Sequence, residues 1–370
     1  MNTSHSMRQA LMQVLGGQRS DTIVWTADLN YWIAGRTGNG TAKASWSTEV
    51  GCLELARELG IMPYYEYSRF LSGRSVFSNE VEITTRVEGG ITCTTWQTPV
   101  GQLRLETCYC PESVSTAIIR YPVSTIEDLK VLLYMLERRR LEPTNLKDYR
   151  QRMELWAGYD GLPCLALPRS PLAAMLVEWA GVENTVFLLA DWPDLFGHMM
   201  ELMEQQESPL LDALCDLAPP LVHFIDNLSA NNVAGLFDRH MAGIYRRRIA
   251  RLHQAGVRCA VHLDGSIQGL LGQVAATGID AVEALTPQPC GDASVEEMRS
   301  LAGNERTVLW GGVPGVMFAP PYTWKDMQAH VERLLAAWAG TLFIVGVADQ
   351  VPPDGDITFC KKITDLVRHY

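Results

Sequence analysis

The chain has 370 residues, 47% of them hydrophobic, with a formal net charge of -11 and a pI near 5.3. This supplies a sizeable core and excludes a nucleic-acid surface, which needs clustered Lys and Arg to displace counterions. Nine scattered cysteines without a Cys-x-x-Cys pair fit reduced thiols, and no window approaches the ~18 consecutive apolar residues of a membrane span, so a soluble cytoplasmic protein is expected.

Met1 to Ser20 is polar, with no apolar signal-peptide core. Residues 7–15 have helical spacing and a stop at Gly16-Gly17. Thr22 to Thr26 reads as a buried strand, and Asp28, Asn30, Tyr31 and Trp32 follow it as a candidate pocket wall or a capped turn. Ser47 to Leu59 is helical up to Gly60. From about 80 to 110 the period becomes two, with turns at Gly89-Gly90 and at Thr98-Pro99-Val100-Gly101, which predicts an antiparallel meander inserted over one mouth of a larger α/β unit. Ser124-Thr125-Ile126-Glu127 has capping-box spacing ahead of a helix running to Arg140, so Arg138-Arg139-Arg140 reads as a solvated helix end.

Short apolar strands then alternate with helices: Leu162–Leu167, Leu221–Ile225, Val257–Val261, Ala281–Ala284, Thr307–Trp310 and Leu342–Val347. Repeated βα units of this length predict a single α/β domain over 1–370, a TIM (β/α)8 barrel. No Gly-x-Gly-x-x-Gly or P-loop follows any strand.

Barrel enzymes work at the carboxyl ends of their strands. His262 and Asp264, two apart on one strand, project from the same face. Asp226, Glu283, the Trp310-Gly311-Gly312 turn and Asp349 stand at other strand ends. So many acids at one mouth need a neutralising partner: a divalent metal, a cationic substrate, arginines or a shared proton. His and carboxylate ligands without a matched thiolate favour zinc, manganese or iron(II) in a borderline-to-hard site. The alternative is structural, with His262 satisfied in the core and Asp264 capping the turn at Gly265. Cys290 reads as a loop residue, and no Gly-x-Ser-x-Gly elbow is present.

Several segments, in order, resemble the uroporphyrinogen decarboxylase superfamily, which also holds methyltransferases that serve corrinoid proteins. They are Thr98–Gly101 with the following Tyr121 to Glu137 segment, Asp226-Asn227-Leu228, His262-Leu263-Asp264-Gly265, Glu283 to Pro287, Trp310 to Pro314, and Gly346 to Asp354. The resemblance implies a TIM barrel with its site at the strand carboxyl ends. The superfamily's zinc methyltransferases carry a His-x-Cys motif and a later cysteine. Here His262 matches the histidine, while Asp264 and Asp349 stand at the cysteine positions. The decarboxylases carry a Met-Arg-Gln-Ala-Gly-Arg motif after the first strand. Met7-Arg8-Gln9-Ala10 lies before it and reads as coincidence.

The expectation is therefore a methyltransferase moving a methyl group between a small methylated substrate and a corrinoid protein or other acceptor. His262, Asp264 and Asp349, with Glu283 as a fourth catalytic residue able to join them, would hold a metal. Asp28, Tyr31, Trp32, Asp226, Asn227 and Trp310 would line the substrate pocket. Alternatives are a decarboxylase or other lyase acting on a small acid, and a non-catalytic barrel that binds a cationic small molecule. The expected partners are a small-molecule substrate and a cobalamin-carrying protein, with neither nucleic acid nor membrane; a homodimer is left open.

Overall fold

Short aliphatic runs alternating with amphipathic helices produce a parallel sheet wrapped in helices. The computed structural model describes residues 6–65 and 69–370; the first five residues of the polar leader lie outside them. In chain order the strands are β1 (Trp25–Thr26), β2 (Gly73–Phe77), β3 (Glu82–Glu88), β4 (Ile91–Thr98), β5 (Gly101–Cys110), β6 (Ser115–Arg120), β7 (Arg139–Pro143), β8 (Ala166–Leu167), β9 (Leu221–Leu228), β10 (Arg258–Leu263), β11 (Ala281–Leu285), β12 (Val308–Pro314) and β13 (Phe343–Ala348). Seven form one parallel sheet in the order β1-β13-β12-β11-β10-β9-β8, a TIM-like succession. No helix among the described residues is long and apolar enough to cross a membrane.

Between β1 and β8 runs 61–65, for which the sequence predicts no strand. Met62 N–H donates to Trp25 O (2.9 Å), while Pro63 O and Tyr64 O accept from Leu162 N–H and Cys164 N–H (both 3.0 Å). Pro63 has no donor, which interrupts a regular ladder and hides the segment from pattern reading.

Alternation along the strands separates two cores. Val222, Phe224, Val261 and Leu309 pack outward against the helices. Val24, Met62, Leu221, Ala260, Val308 and Trp310 fill the lumen, where helix Met7–Leu15 plugs one end with Ala10, Leu11 and Val14. The Met7-Arg8-Gln9-Ala10 stretch thus lies in the plug, at the amino ends of the strands.

The antiparallel meander comprises β3 to β6 and extends to Arg120, beyond the predicted limit near 110. It packs through buried Leu103 on the helix Ile126–Glu137 and through Trp96 on Trp179, with ring centroids 5.4 Å apart. The capping box is shifted by one residue: Thr125 and Asp128 exchange the bonds. That helix stops at Glu137, so the arginine run is no solvated helix end. Arg139 and Arg140 enter β7, which pairs antiparallel with β2.

Under the helix layer Arg248 donates Nε–H and Nη2–H to Glu207 (3.0 and 2.5 Å), and both residues are buried. Removing one member of such a pair strands the other charge. Arg248→Met is expected to lower unfolding stability by about 3–5 kcal/mol, read as a reduced urea midpoint with an unchanged m-value.

Candidate active site

At the carboxyl end of β10, the backbone register sets His262 directly against Glu283 of β11. Glu283 is 1% exposed, and it lies in the lumen among groups that neutralise it. Its Oε2 accepts from His262 Nδ1–H (2.8 Å), and its Oε1 accepts from the Tyr65 hydroxyl (2.6 Å). His223 of β9 places Nε2 3.4 Å from Oε2, and its Nδ1 is 3.0 Å from the Tyr64 hydroxyl. Trp310 forms the floor: its Nε1–H donates to Thr26 Oγ1 (2.8 Å), and its ring lies 4.8 Å from that of Tyr64.

An ionised carboxylate only accepts, so His262 must carry its proton on Nδ1. Nε2 then faces outward, 3.9 Å from Asp264 Oδ2. His262, Asp264 and Asp349 each offer one ligand atom within 4.8 Å of the others, and His223, His262 and Glu283 form a second such trio deeper in the lumen. The outer trio fits a divalent ion better. Its carboxylates stand at the half-buried to exposed rim, whereas Glu283 is already engaged by three neighbours. With an ion in the outer trio, Glu283 would be the carboxylate behind the ligand set that fixes the His262 ring.

Burial opposes charging His262, but Glu283 and Asp264 outweigh it and hold the imidazole well above its ordinary range. Burial would raise Glu283, but His262 and His223 overcome that and keep its carboxyl well below the usual carboxylate range. On the rim, partial desolvation pushes Asp349 up; His262 offsets this, while Asp264 and Glu283 add to it. Asn227, Ala284 and Asp349 all have left-handed backbone, at φ 54, 64 and 65. Such non-glycine conformations gather where strand ends must turn side chains toward a site.

The profile of the family described as Uroporphyrinogen decarboxylase (URO-D) matches residues 118–370. The chain belongs to that family. In structure it is similar to a methyltransferase from Methanosarcina mazei, at 12% sequence identity and a TM-score of 0.63, with 99% of each chain covered. It is also similar to a B12-independent methionine synthase from Shewanella sp. W3-18-1, at 10% identity and a TM-score of 0.50, over 94% of this chain and 97% of that one. At such identities the likeness is one of fold, and it extends well upstream of residue 118. No match is found among the curated proteins.

Within this URO-D-family site the other sequence-predicted residues part company. Asp226 points away from the lumen, where it accepts from Ser170 N–H (2.7 Å), Ser170 Oγ–H (2.5 Å) and the Tyr245 hydroxyl (2.6 Å). Asn227 is exposed. Asp28, fully buried, accepts from the backbone and side chain of Asn30 (2.9 and 2.8 Å) and lies close enough to Tyr65 to help raise its hydroxyl. Tyr31 is half-buried on the helix Asn30–Gly38, and Trp32 packs on Trp46 while donating to Gly355 O (3.0 Å). Cys290 is exposed and belongs to no ligand trio among the described residues.

Sequence reasoning missed Tyr64, Tyr65 and His223. The tyrosines sit on 61–65, the segment whose pattern Pro63 interrupts. For His223 a signal existed: Leu221, His223 and Ile225 share one strand face, so an inward His223 requires Asp226 to point outward.

The charged pair has a measurable signature. Glu283→Gln is expected to return the His262 pKa toward ~6.5, followed by its imidazole proton resonances in metal-free protein. Because the folded value is raised, its stabilising contribution is fully present below the unfolded pKa and is lost as pH rises through the folded one. The variant should therefore lose stability mostly on the acid side of that window.

Proposed function

We propose that the protein is a methyltransferase of the URO-D family. It would move a methyl group between a small methylated substrate and a corrinoid protein or other acceptor, with help from a metal held by His262, Asp264 and Asp349. The observation that carries this reading is the single orientation of His262: Nδ1–H is tied to Glu283, Nε2 is turned to Asp264, and Asp349 completes a trio of ligand atoms within 4.8 Å of one another. A divalent ion held there would act as a Lewis acid, orienting and polarising the substrate or acceptor. Two carboxylates and an imidazole suit zinc, manganese or iron(II).

The protein's own groups supply the rest. Glu283 and Tyr65 lock the tautomer, His223 and Tyr64 back the same carboxylate, and Trp310 closes the lumen so that substrate enters only from the rim. We take the scaffold as one domain over 1–370, a (β/α)8 barrel closed by 61–65 as its eighth stave. Of the expected pocket residues, Asp28 and Trp310 lie behind the lining, Asp28 near Tyr65 and Trp310 against Tyr64. A cobalamin-carrying partner would dock over the rim.

A second reading is favoured by the raised Asp349 carboxyl and the charged His262. Without a metal, either could protonate a carbanion-like centre, as a decarboxylase or other lyase requires. Metal analysis separates the two. Wild type purified without chelator is expected to carry about one equivalent of transition metal, or to acquire it on titration with zinc, manganese or iron(II), and His262→Ala to carry none. Binding must displace the Nε2 proton, so apparent affinity should fall about tenfold per pH unit below the raised His262 pKa. Wild type that takes up no metal, yet releases carbon dioxide from a panel of small acids, would overturn the methyltransferase reading in favour of the lyase.

A further inference from the structure

Beside the mouth lies a second recess of about 260 Å³, lined by Arg74 of β2, Arg139 of β7 and Arg169 just beyond β8. Ile225 borders both this recess and the hollow containing His262 and Glu283. In a chain of net charge -11, three guanidinium groups in one recess are unexpected. They come from segments far apart in sequence, brought together by the docking of the β2–β7 pair on β8. Ser72 N–H and Oγ–H both donate to Ala166 O (2.8 and 2.7 Å), and Gly73 gives Leu210 room that a Cβ would fill, with a contact of 2.7 Å.

The donors are only partly used. Arg139 donates Nε–H to Gln206 Oε1 (2.9 Å), while its two terminal nitrogens make no hydrogen bond among the described residues. Arg169 donates one terminal N–H to Glu178 (3.0 Å), and its Nε is buried without a partner. Opposing charges are present: Glu142 takes Arg74 and Arg140, Glu207 is held bidentately by Arg248, and Glu178 stands at the edge, half exposed. Glu178 is the acid that competes directly for Arg169. Burial also pulls Arg139 down to about 10, with Glu207 and Glu178 acting against it.

Planar guanidinium groups with open N–H donors select oxyanions with paired oxygens. We propose that this recess binds a carboxylate or phosphate group of the substrate between Arg139 and Arg169, with the remainder of the molecule passing Ile225 to His262. This rests on the reading above only for the direction in which the molecule extends, and it narrows the substrate class. The rim acids repel an anion, so a molecule spanning both places carries its anionic end here and its neutral or cationic reacting end at the mouth.

The full chain, titrated with inorganic phosphate and separately with propionate, tests this through the Nε–Hε resonances of Arg139 and Arg169. One probe or both should bind saturably, and the tighter one identifies the group. Arg169→Gln should weaken binding on the order of tenfold, Arg139→Lys should weaken it less, and Glu178→Gln should tighten it severalfold, a gain that a damaged fold cannot produce. His262→Ala should leave it unchanged. No saturable binding of either probe, or binding indifferent to Arg169→Gln and Glu178→Gln, overturns the proposal. Metal content in the same samples reports on the proposed metal site independently, since intact anion binding without metal would sink that site alone.

Discussion

A carboxylate buried on the inner face of a TIM-like sheet has to be met by donors from several directions, and Glu283 sets this requirement for the whole mouth. His262, Tyr65 and His223 meet it from β10, from 61–65 and from β9. The consequences spread outward. Tyr65 can reach Oε1 only because 61–65 runs between β1 and the chain leading into β8, even though Pro63 prevents a regular ladder there. Each of these groups is fixed by the demands of one ion.

The remaining buried acids are divided between architecture and chemistry. Asp226 is saturated by Ser170 and Tyr245, and Glu207 is committed to Arg248. Asp280 accepts from Cys259 N–H (2.8 Å) and Arg258 (3.1 Å) and lies 2.7 Å from His253 Nε2. That last group also has the donor types of a metal trio, but its carboxylate is already used, and burial with the nearby Asp280 charge pushes the Cys259 thiol well up. Asp264 and Asp349 differ in standing at the half-buried to exposed rim beside the His262 imidazole, where a ligand can reach them.

Much of this was legible in the residues. The sheet's seven strands were readable as apolar runs between helix signals, and the two-residue spacing of His262 and Asp264 put both at one strand end. The rest depended on information that single segments do not carry. Pro63 broke the pattern of 61–65. The partition between lumen and helix layer could be read on β9 only by taking Leu221, His223 and Ile225 together, since Asp226 in isolation resembles any strand-end acid. The arginine recess joins positions 74, 139 and 169, and no local pattern relates them. Arg139 looked like part of a solvated run because charge alone does not say which of three consecutive arginines a strand turns inward.

The replacement of two thiolates by carboxylates, read from the family resemblance, changes what His262 can be. Beside soft sulfur ligands an imidazole helps to hold zinc; between Glu283 and two harder oxygen ligands it is poised between holding a cation and holding a second proton. Both states use the same Nδ1–H bond to Glu283 and differ only at Nε2. On the proposed reading a metal and a proton would compete for one lone pair, with Asp264 and Asp349 attracting either, and the chemistry of the mouth would follow from which one wins at working pH. Because Glu283 strengthens the proton's hold, any metal that wins must gain enough from the two carboxylates to displace it.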